Sequence, residues 1–277
     1  MEYIKIIKPQ SGFIKINLKE FFRYKDLLYF MVLRDVTVIY KQSVLGFAWA
    51  IINPVFSMVV FSIVFGMLAN VPSDGIPYPL FSYAALIPWT YFANTLNASG
   101  SSLVTNATIF TKVYFPRIII PLTPVLSKLV DFGISFLLLI AMMFYYGYPP
   151  TIKFLVLPLL ILIMVITAGG IGIWTSALAL QYRDVKFALT FVVPLLMYAA
   201  PVVFPASLIL NKFGHTIYLL YGMYPMAGVI EGFRSMIIPE KPIPWDLLVA
   251  GGIISISLLM MGLWVFGRME RKFADVA

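Results

Sequence analysis

The stretch IYLLYGMYPMAGVIEGFRSMII, residues 217–238, is long enough to cross a bilayer, and whether it does so sets the topology of the whole chain. A spanning helix needs about 20 predominantly apolar residues. Against a crossing stand Pro225 near the middle, Glu231 and Arg234 within it, and glycines at 222, 228 and 232. Basic residues arbitrate, because Lys and Arg gather on the cytoplasmic side. With six spans and an inner N-terminus, the inner segments 1–46, 101–117, 180–186 and 268–277 hold eight, two, two and three Lys or Arg. The outer segments 70–79, 146–151 and 207–245 hold none, none and three. A seventh crossing would carry the basic tail RMERK outside. Six crossings are therefore expected, with 207–245 forming two short re-entrant or interfacial helices on the outer side.

The remainder of the chain agrees with a membrane class. Of 277 residues, 61% are hydrophobic and 12% charged, at a mean hydropathy of +0.93, against about 25% charged in a soluble domain. The expectation is an all-α polytopic membrane protein with spans near 47–69, 80–100, 118–145, 152–179, 187–206 and 246–267. Together, 47–267 form one membrane domain between a cytoplasmic N-terminus, 1–46, and a cytoplasmic tail, 268–277. No compact apolar segment near the start reads as a cleavable signal. The net charge of +8 is distributed as topology requires, so it does not indicate nucleic acid. With no cysteine, disulfides, Cys metal sites and thiol chemistry are excluded.

Upstream of the first span, Leu18, Phe21, Phe22, Leu28, Tyr29, Val32, Leu33 and Val36 recur at helical spacing. Lys19, Glu20, Arg23, Asp26 and Arg34 lie opposite. This predicts an amphipathic helix lying in the membrane interface, although Lys25 interrupts the apolar face and Leu27, Phe30 and Met31 the polar one. Inside the third span, Lys128 and Asp131 stand three residues apart and can pair on one face. If that helix starts at Ile118, Lys128 lies about 15 Å along it, near the midplane, where charges are costly and functional. If Pro121 and Pro124 delay the start, both groups sit near the inner boundary, where Lys snorkels. His215, the single histidine, has no nucleophile or base placed with it in the sequence, so nothing suggests an enzyme. Neither a metal nor another cofactor is expected on this chain.

The segment RYKDLLYFMVLRDVTVIYKQSVLGFAWAIINP, 23–54, carries Arg34-Asp35, Tyr40-Lys41, Leu45-Gly46, Trp49 and Asn53-Pro54 in order. LIPW (86–89), YRDV (182–185), APVVFP (200–205) and YPMAGVIEGFR (224–234) follow. This series resembles the ABC-2 permeases that export bacterial surface polysaccharides, namely the O-antigen, capsule and teichoic-acid transporters. Tyr224 stands where that family often has Asn. The resemblance implies a homodimer in the bacterial inner membrane working with two copies of a separate ATPase. The chain has no G-x-x-x-x-G-K-[ST] phosphate loop, so ATP and Mg would sit on that partner.

Two inner surfaces can receive the ATPase's motion: the interfacial helix around 18–41, and the 101–117 loop, which the resemblance assigns as a coupling helix. In that loop Ile109, Phe110 and Tyr114 would be apolar anchors in a partner groove, with Arg117 and the Arg183-Asp184 of the next inner loop beside them. A glycan path favours aromatic lining that binds weakly enough to release, and Phe47, Trp49, Trp89, Tyr91, Phe92, Tyr198 and Phe204 are the candidates. Arg34 and Lys41 could receive a lipid diphosphate, or could simply attract anionic membrane lipids. Glu231 and Arg234 form the outer gate by resemblance, or else a surface ion pair worth under ~1 kcal/mol. A drug or lipid exporter of the same superfamily and an ion-gradient-driven secondary transporter are the alternative functions.

Overall fold

The computed structural model describes residues 18–41, 46, 48–110 and 112–270. In chain order the helices are α1 (Leu18–Arg23), α2 (Lys25–Lys41), α3 (Ala48–Phe61), α4 (Tyr78–Thr105), α5 (Ala107–Phe110), α6 (Ile119–Tyr145), α7 (Leu157–Gln181), α8 (Asp184–Ala199), α9 (Ser207–Gly222), α10 (Pro225–Ile237) and α11 (Trp245–Met269). A π-helical stretch, Ser62–Leu68, continues α3, and a 3-10 turn, Ile152–Val156, leads into α7. No strand occurs among the described residues.

Among the described residues, four helices are long and apolar enough to cross a membrane: Ala48–Leu68, Ile119–Tyr145, Ile152–Gln181 and Trp245–Met269. Their limits fall within two residues of four expected spans. Of the other two expected spans, 80–100 lies within α4, and 187–206 overlaps α8 only as far as Ala199; neither helix meets the same standard. At 28 residues α4 is long enough but too polar, whereas α8 has only 16, about 24 Å of helix.

The helix at the core is α4, which packs against α3, α6, α7, α8 and α10. Every residue from Leu80 to Trp89 is buried. The contact between α7 and α11 is close because glycines meet there. A Cβ on Gly170 would lie 2.7 Å from the Leu259 nitrogen, and one on Gly262 would meet the Gly170 carbonyl. Small residues let membrane helices approach to this distance, where dispersion supplies the attraction that lipid does not oppose. All thirteen residues of α10 are buried, so of the re-entrant and interfacial forms expected for this segment its burial does not fit the interfacial one. The helix is enclosed by α4, α7, α9 and α11.

The N-terminal segment departs from the expected single stripe. It breaks at Tyr24 into α1 and α2, and the face packed on the protein is Phe21, Tyr24, Leu27, Leu28 and Met31. Phe22, Tyr29, Phe30 and Leu33 are exposed. Leu27 and Met31, which interrupt the polar face in the sequence, are thus packing residues, and Phe22, Tyr29 and Leu33 form a second apolar face available to lipid. After α2, Gly46 takes φ 46°, a left-handed conformation that glycine adopts without the Cβ penalty. Its carbonyl accepts the Trp49 N–H at 3.4 Å, starting α3.

Candidate functional site

At the inner end, α4 runs on to Thr105, and α5 is a four-residue turn. The expected 101–117 loop is therefore partly a helical extension. Ile109 packs with Ala107 against the cluster of Met31, Leu103, Phe115, Ile118 and Phe266 and is half-buried, so only part of its side chain is left for a partner groove. The side chain of Phe110 lies outside the described residues. Tyr114 is 74% exposed, and its hydroxyl donates to Glu20 at 3.3 Å. Arg117 donates to the Glu270 carbonyl at 2.9 Å. Arg183 and Asp184 are exposed at the start of α8. The two inner surfaces expected from the sequence thus touch, since α1 and the 112–118 turn share the Glu20–Tyr114 bond and the cluster beneath it.

Above them, α2, α3, α4 and α6 enclose a polar cavity of about 190 Å³. α6 begins at Ile119 despite its prolines, which places Lys128 about 13 Å along the helix. The Lys128 ammonium donates to Asp131 Oδ2 at 3.0 Å, and the Tyr40 hydroxyl donates to Asp131 Oδ1. One turn on, Ser135 donates to the Ala50 carbonyl of α3 at 2.8 Å. The end of α2 and the start of α3, on either side of Gly46, are therefore both bonded to successive turns of α6.

Of the aromatic candidates, Trp49 is 46% exposed at this cavity, and Tyr198 is exposed on α8. Phe47 lies outside the described residues. Trp89 and Phe92 are buried with their rings 5.5 Å apart, so as core packing they present no face to a path. Tyr91 touches the cavity, but its buried hydroxyl is committed to the Val125 carbonyl at 2.8 Å. Phe204 is half-buried and contributes its carbonyl to Arg234 at 3.2 Å. Arg34 is paired with Asp35 at 2.9 Å and reaches Asn106 at 3.5 Å, while Lys41 is exposed.

On α10, Glu231 and Arg234 are 1% and 0% exposed, not the surface pair that the charge pattern alone allowed. Arg234 donates to Glu231 at 2.8 Å and to the Val202 carbonyl at 2.9 Å, and it stacks 3.5 Å from the Phe81 ring centre. Glu231 also accepts from the Ala206 N–H at 3.0 Å and from Lys241. Lys241 holds Asp74, which takes the Ser207 hydroxyl at 3.0 Å. Lys153 donates to the carbonyls of Ile238, Pro239 and Lys241 at 3.0, 2.7 and 2.7 Å, tying down the turn that follows α10. Burial works to raise the Glu231 pKa, but Arg234, Lys241 and the Ala206 N–H outweigh it and hold the carboxyl below its ordinary value. Sequence reasoning missed Asp74, Lys153 and Lys241. The signal was present in Lys241, one of three basic residues in an outer segment that topology would otherwise leave free of them.

The sequence profile of the ABC-2 type transporter family matches residues 26–238. The chain belongs to that family. It is similar to the O-antigen export system permease protein RfbA of Klebsiella pneumoniae, with 31% identity over 264 residues, 95% of this chain and 98% of the relative. It is similar also to RfbA of Myxococcus xanthus, at 25% identity over 93% of this chain and 98% of the relative. The polysialic acid transport protein KpsM of Escherichia coli matches at 23% identity over 76% of this chain and 80% of the relative. The family is one of multi-pass membrane subunits, and the apolar helices of this member agree with that class.

Proposed function

We propose that this chain is the transmembrane subunit of an ATP-driven ABC exporter that moves lipid-linked polysaccharide across the bacterial inner membrane. The observation that carries the reading is the alignment over nearly the full length of both proteins with O-antigen export permeases, which favours an O-antigen type of glycan. The working unit is a homodimer with two copies of a separate ATPase, which binds ATP and Mg. A path wide enough for a glycan is hard to enclose in one protomer, and a two-fold interface supplies it. In this reading α4 and α8 complete six crossings, both termini are cytoplasmic, and Glu231–Arg234 belongs to the outer gate. Force enters through α1, α2 and the 112–118 turn, where Tyr114 stands out from the surface. Arg34 and Lys41 at the inner boundary receive the diphosphate of the lipid carrier.

Deleting the gene tests this directly. Surface glycan should disappear while lipid-linked glycan accumulates inside, and the tagged chain should co-purify with an ATPase. Unchanged surface glycan after deletion would overturn the proposal. The partly buried Lys128–Asp131 pair favours one second reading, an ion-gradient-driven transporter. Export that stops on dissipating the proton gradient, at constant ATP, would support that alternative.

A further inference from the structure

One face of α4 is polar along most of its length. Thr90, Asn94, Asn97, Ser101 and Thr105 follow one another at steps of four, three, four and four residues, which keeps them within a strip about 80° wide. The helix is otherwise buried through much of its circumference, but Asn94 and Thr105 are exposed and the other three half-buried. The strip is about 22 Å long, against about 30 Å for a bilayer's hydrocarbon core. Lipid tails cannot satisfy amides and hydroxyls, so such a strip has to meet protein, water or a polar ligand.

Part of it opens onto empty space. Thr90 and Asn94 line the cavity of about 190 Å³ with Trp49, Asn53 and Lys128. Ser101 and Thr105 line a second, of about 280 Å³, beside Arg34. The Ser101 and Thr105 hydroxyls donate one turn back along α4, at 2.8 and 3.0 Å, and keep lone pairs to accept with. The buried Oδ1 of Asn97 has no partner among the described residues, and neither Asn53 nor Asn94 makes a side-chain hydrogen bond there.

We propose that this face of α4 is a saccharide track, on which sugar units of the moving glycan exchange hydrogen bonds with Thr90, Asn94, Asn97, Ser101 and Thr105. The inference rests on the exporter reading and specifies which surface of the subunit touches the glycan. Trp49 stacks on a ring face in the first cavity, and Lys128 and Arg34 mark the two ends. The chemistry suits a substrate that must not stop. Neutral amides and hydroxyls offer weak, interchangeable contacts, so binding favours occupancy without trapping. Water in the cavities holds the same positions between sugar units and exchanges for hydroxyls at little cost. Neighbouring strip residues lie roughly one helical turn apart, a 5.4 Å pitch, which is comparable to the advance of a glycan by one pyranose unit.

Photocrosslinking in cells that make their own glycan tests the track. p-Benzoylphenylalanine replaces Asn94, Ser101 or, as a control, Ile253 on the exposed side of α11. Irradiation should give glycan-positive adducts at 94 and 101 and none at 253. Adducts at 94 and 101 containing only lipid, or only a second copy of the chain, would overturn the proposal. In parallel, the double variant Asn94→Leu/Ser101→Leu should lower surface glycan about tenfold at unchanged membrane abundance, as expected for a hydrogen bond or two lost. Asn94→Gln should stay within about twofold, since the amide is kept. A correctly inserted double variant that exports normally would also overturn it. Failure of the exporter reading looks different: gene deletion would then leave surface glycan unchanged, whereas loss of glycan on deletion without adducts at 94 and 101 rejects the track alone.

Discussion

The hydroxyl of Tyr40 donates to the carboxylate of Asp131, so the last turn of the interfacial helix is bonded to a spanning helix 91 residues further along the chain. Lys128 holds the other carboxylate oxygen at 3.0 Å, which leaves Asp131 shared between a phenol and an ammonium. Movement of α2 at the inner face therefore pulls directly on α6. Tyr40→Phe removes this connection and almost no volume. We expect export to fall while thermal stability changes by about 1 kcal/mol, and ATP hydrolysis by the assembled complex to persist without matching transport. Measuring hydrolysis and export together checks it, and normal export in Tyr40→Phe would show that the bond carries no motion.

Arg234 is enclosed with a single carboxylate partner in contact. Removing one member of a buried pair leaves the other charge uncompensated, at a cost of about 3–5 kcal/mol. Arg234→Met should therefore lower the melting temperature in detergent sharply. Arg234→Lys, which keeps a cation beside Glu231, should lose less than Arg234→Met, where the carboxylate retains only Lys241 and the Ala206 N–H. Equal melting temperatures for Arg234→Met and the wild type would contradict the buried arrangement.

Because the Glu231 carboxyl is held below its ordinary pKa, its contribution to stability is present above the unfolded value of about 4.3 and is lost as pH falls through the lower folded value. This group therefore adds no pH dependence between roughly pH 5 and 8. Below about pH 4 the protein should weaken, and Glu231→Gln should flatten that limb while being less stable at neutral pH. Melting curves across the acid range provide the measurement.

Lys153 serves three carbonyls beyond α10. Lys153→Met removes this shared donor, leaving Ile238 only the Lys241 N–H at 3.3 Å, and should cost about 1–3 kcal/mol, loosening the 238–241 turn that positions Lys241. Hydrogen exchange at residues 236–241 should rise in this variant while α7 and α11 stay protected. Protection unchanged across the turn would assign the capping to other groups.

At the Gly170–Gly262 crossing no room remains for a side chain. Gly170→Val should force α7 and α11 apart and reduce the amount of folded protein in the membrane, by the overpacking cost of about 1–3 kcal/mol or more. Gly252, where an added Cβ would meet only Ile163 at 4.0 Å, is the comparison: Gly252→Ala should be well tolerated.

Much of the architecture could be read from composition because lipid permits few solutions. The four most apolar helices appear where hydropathy and charge placed them. The two-sided apolar character of α2 could not be read as one stripe, since Phe22 and Tyr29 answer to lipid while Leu27 and Met31 answer to protein. Periodicity alone does not separate those two apolar environments. The burial of Glu231 and Arg234 was illegible for a different reason. Their partners, Phe81, Val202, Asp74 and Lys241, come from four separate places in the chain, and only the fold brings them together. Trp89 and Phe92 are buried in the core, and the sequence does not separate that place from a lining one, because an aromatic ring suits a sugar path and a packed core equally well.

The enclosure of α10 also bears on how the polypeptide is made. A thirteen-residue segment with an acid and a base in it has no stable home in lipid by itself. Its guanidinium needs the Phe81 and Val202 region, already synthesised, and its carboxylate needs Lys241, which emerges later. Biogenesis must therefore leave this piece waiting at the translocon or in the outer aqueous phase until the final span arrives to close over it. A nascent chain halted before residue 241 should accordingly be a ready target for quality-control proteases.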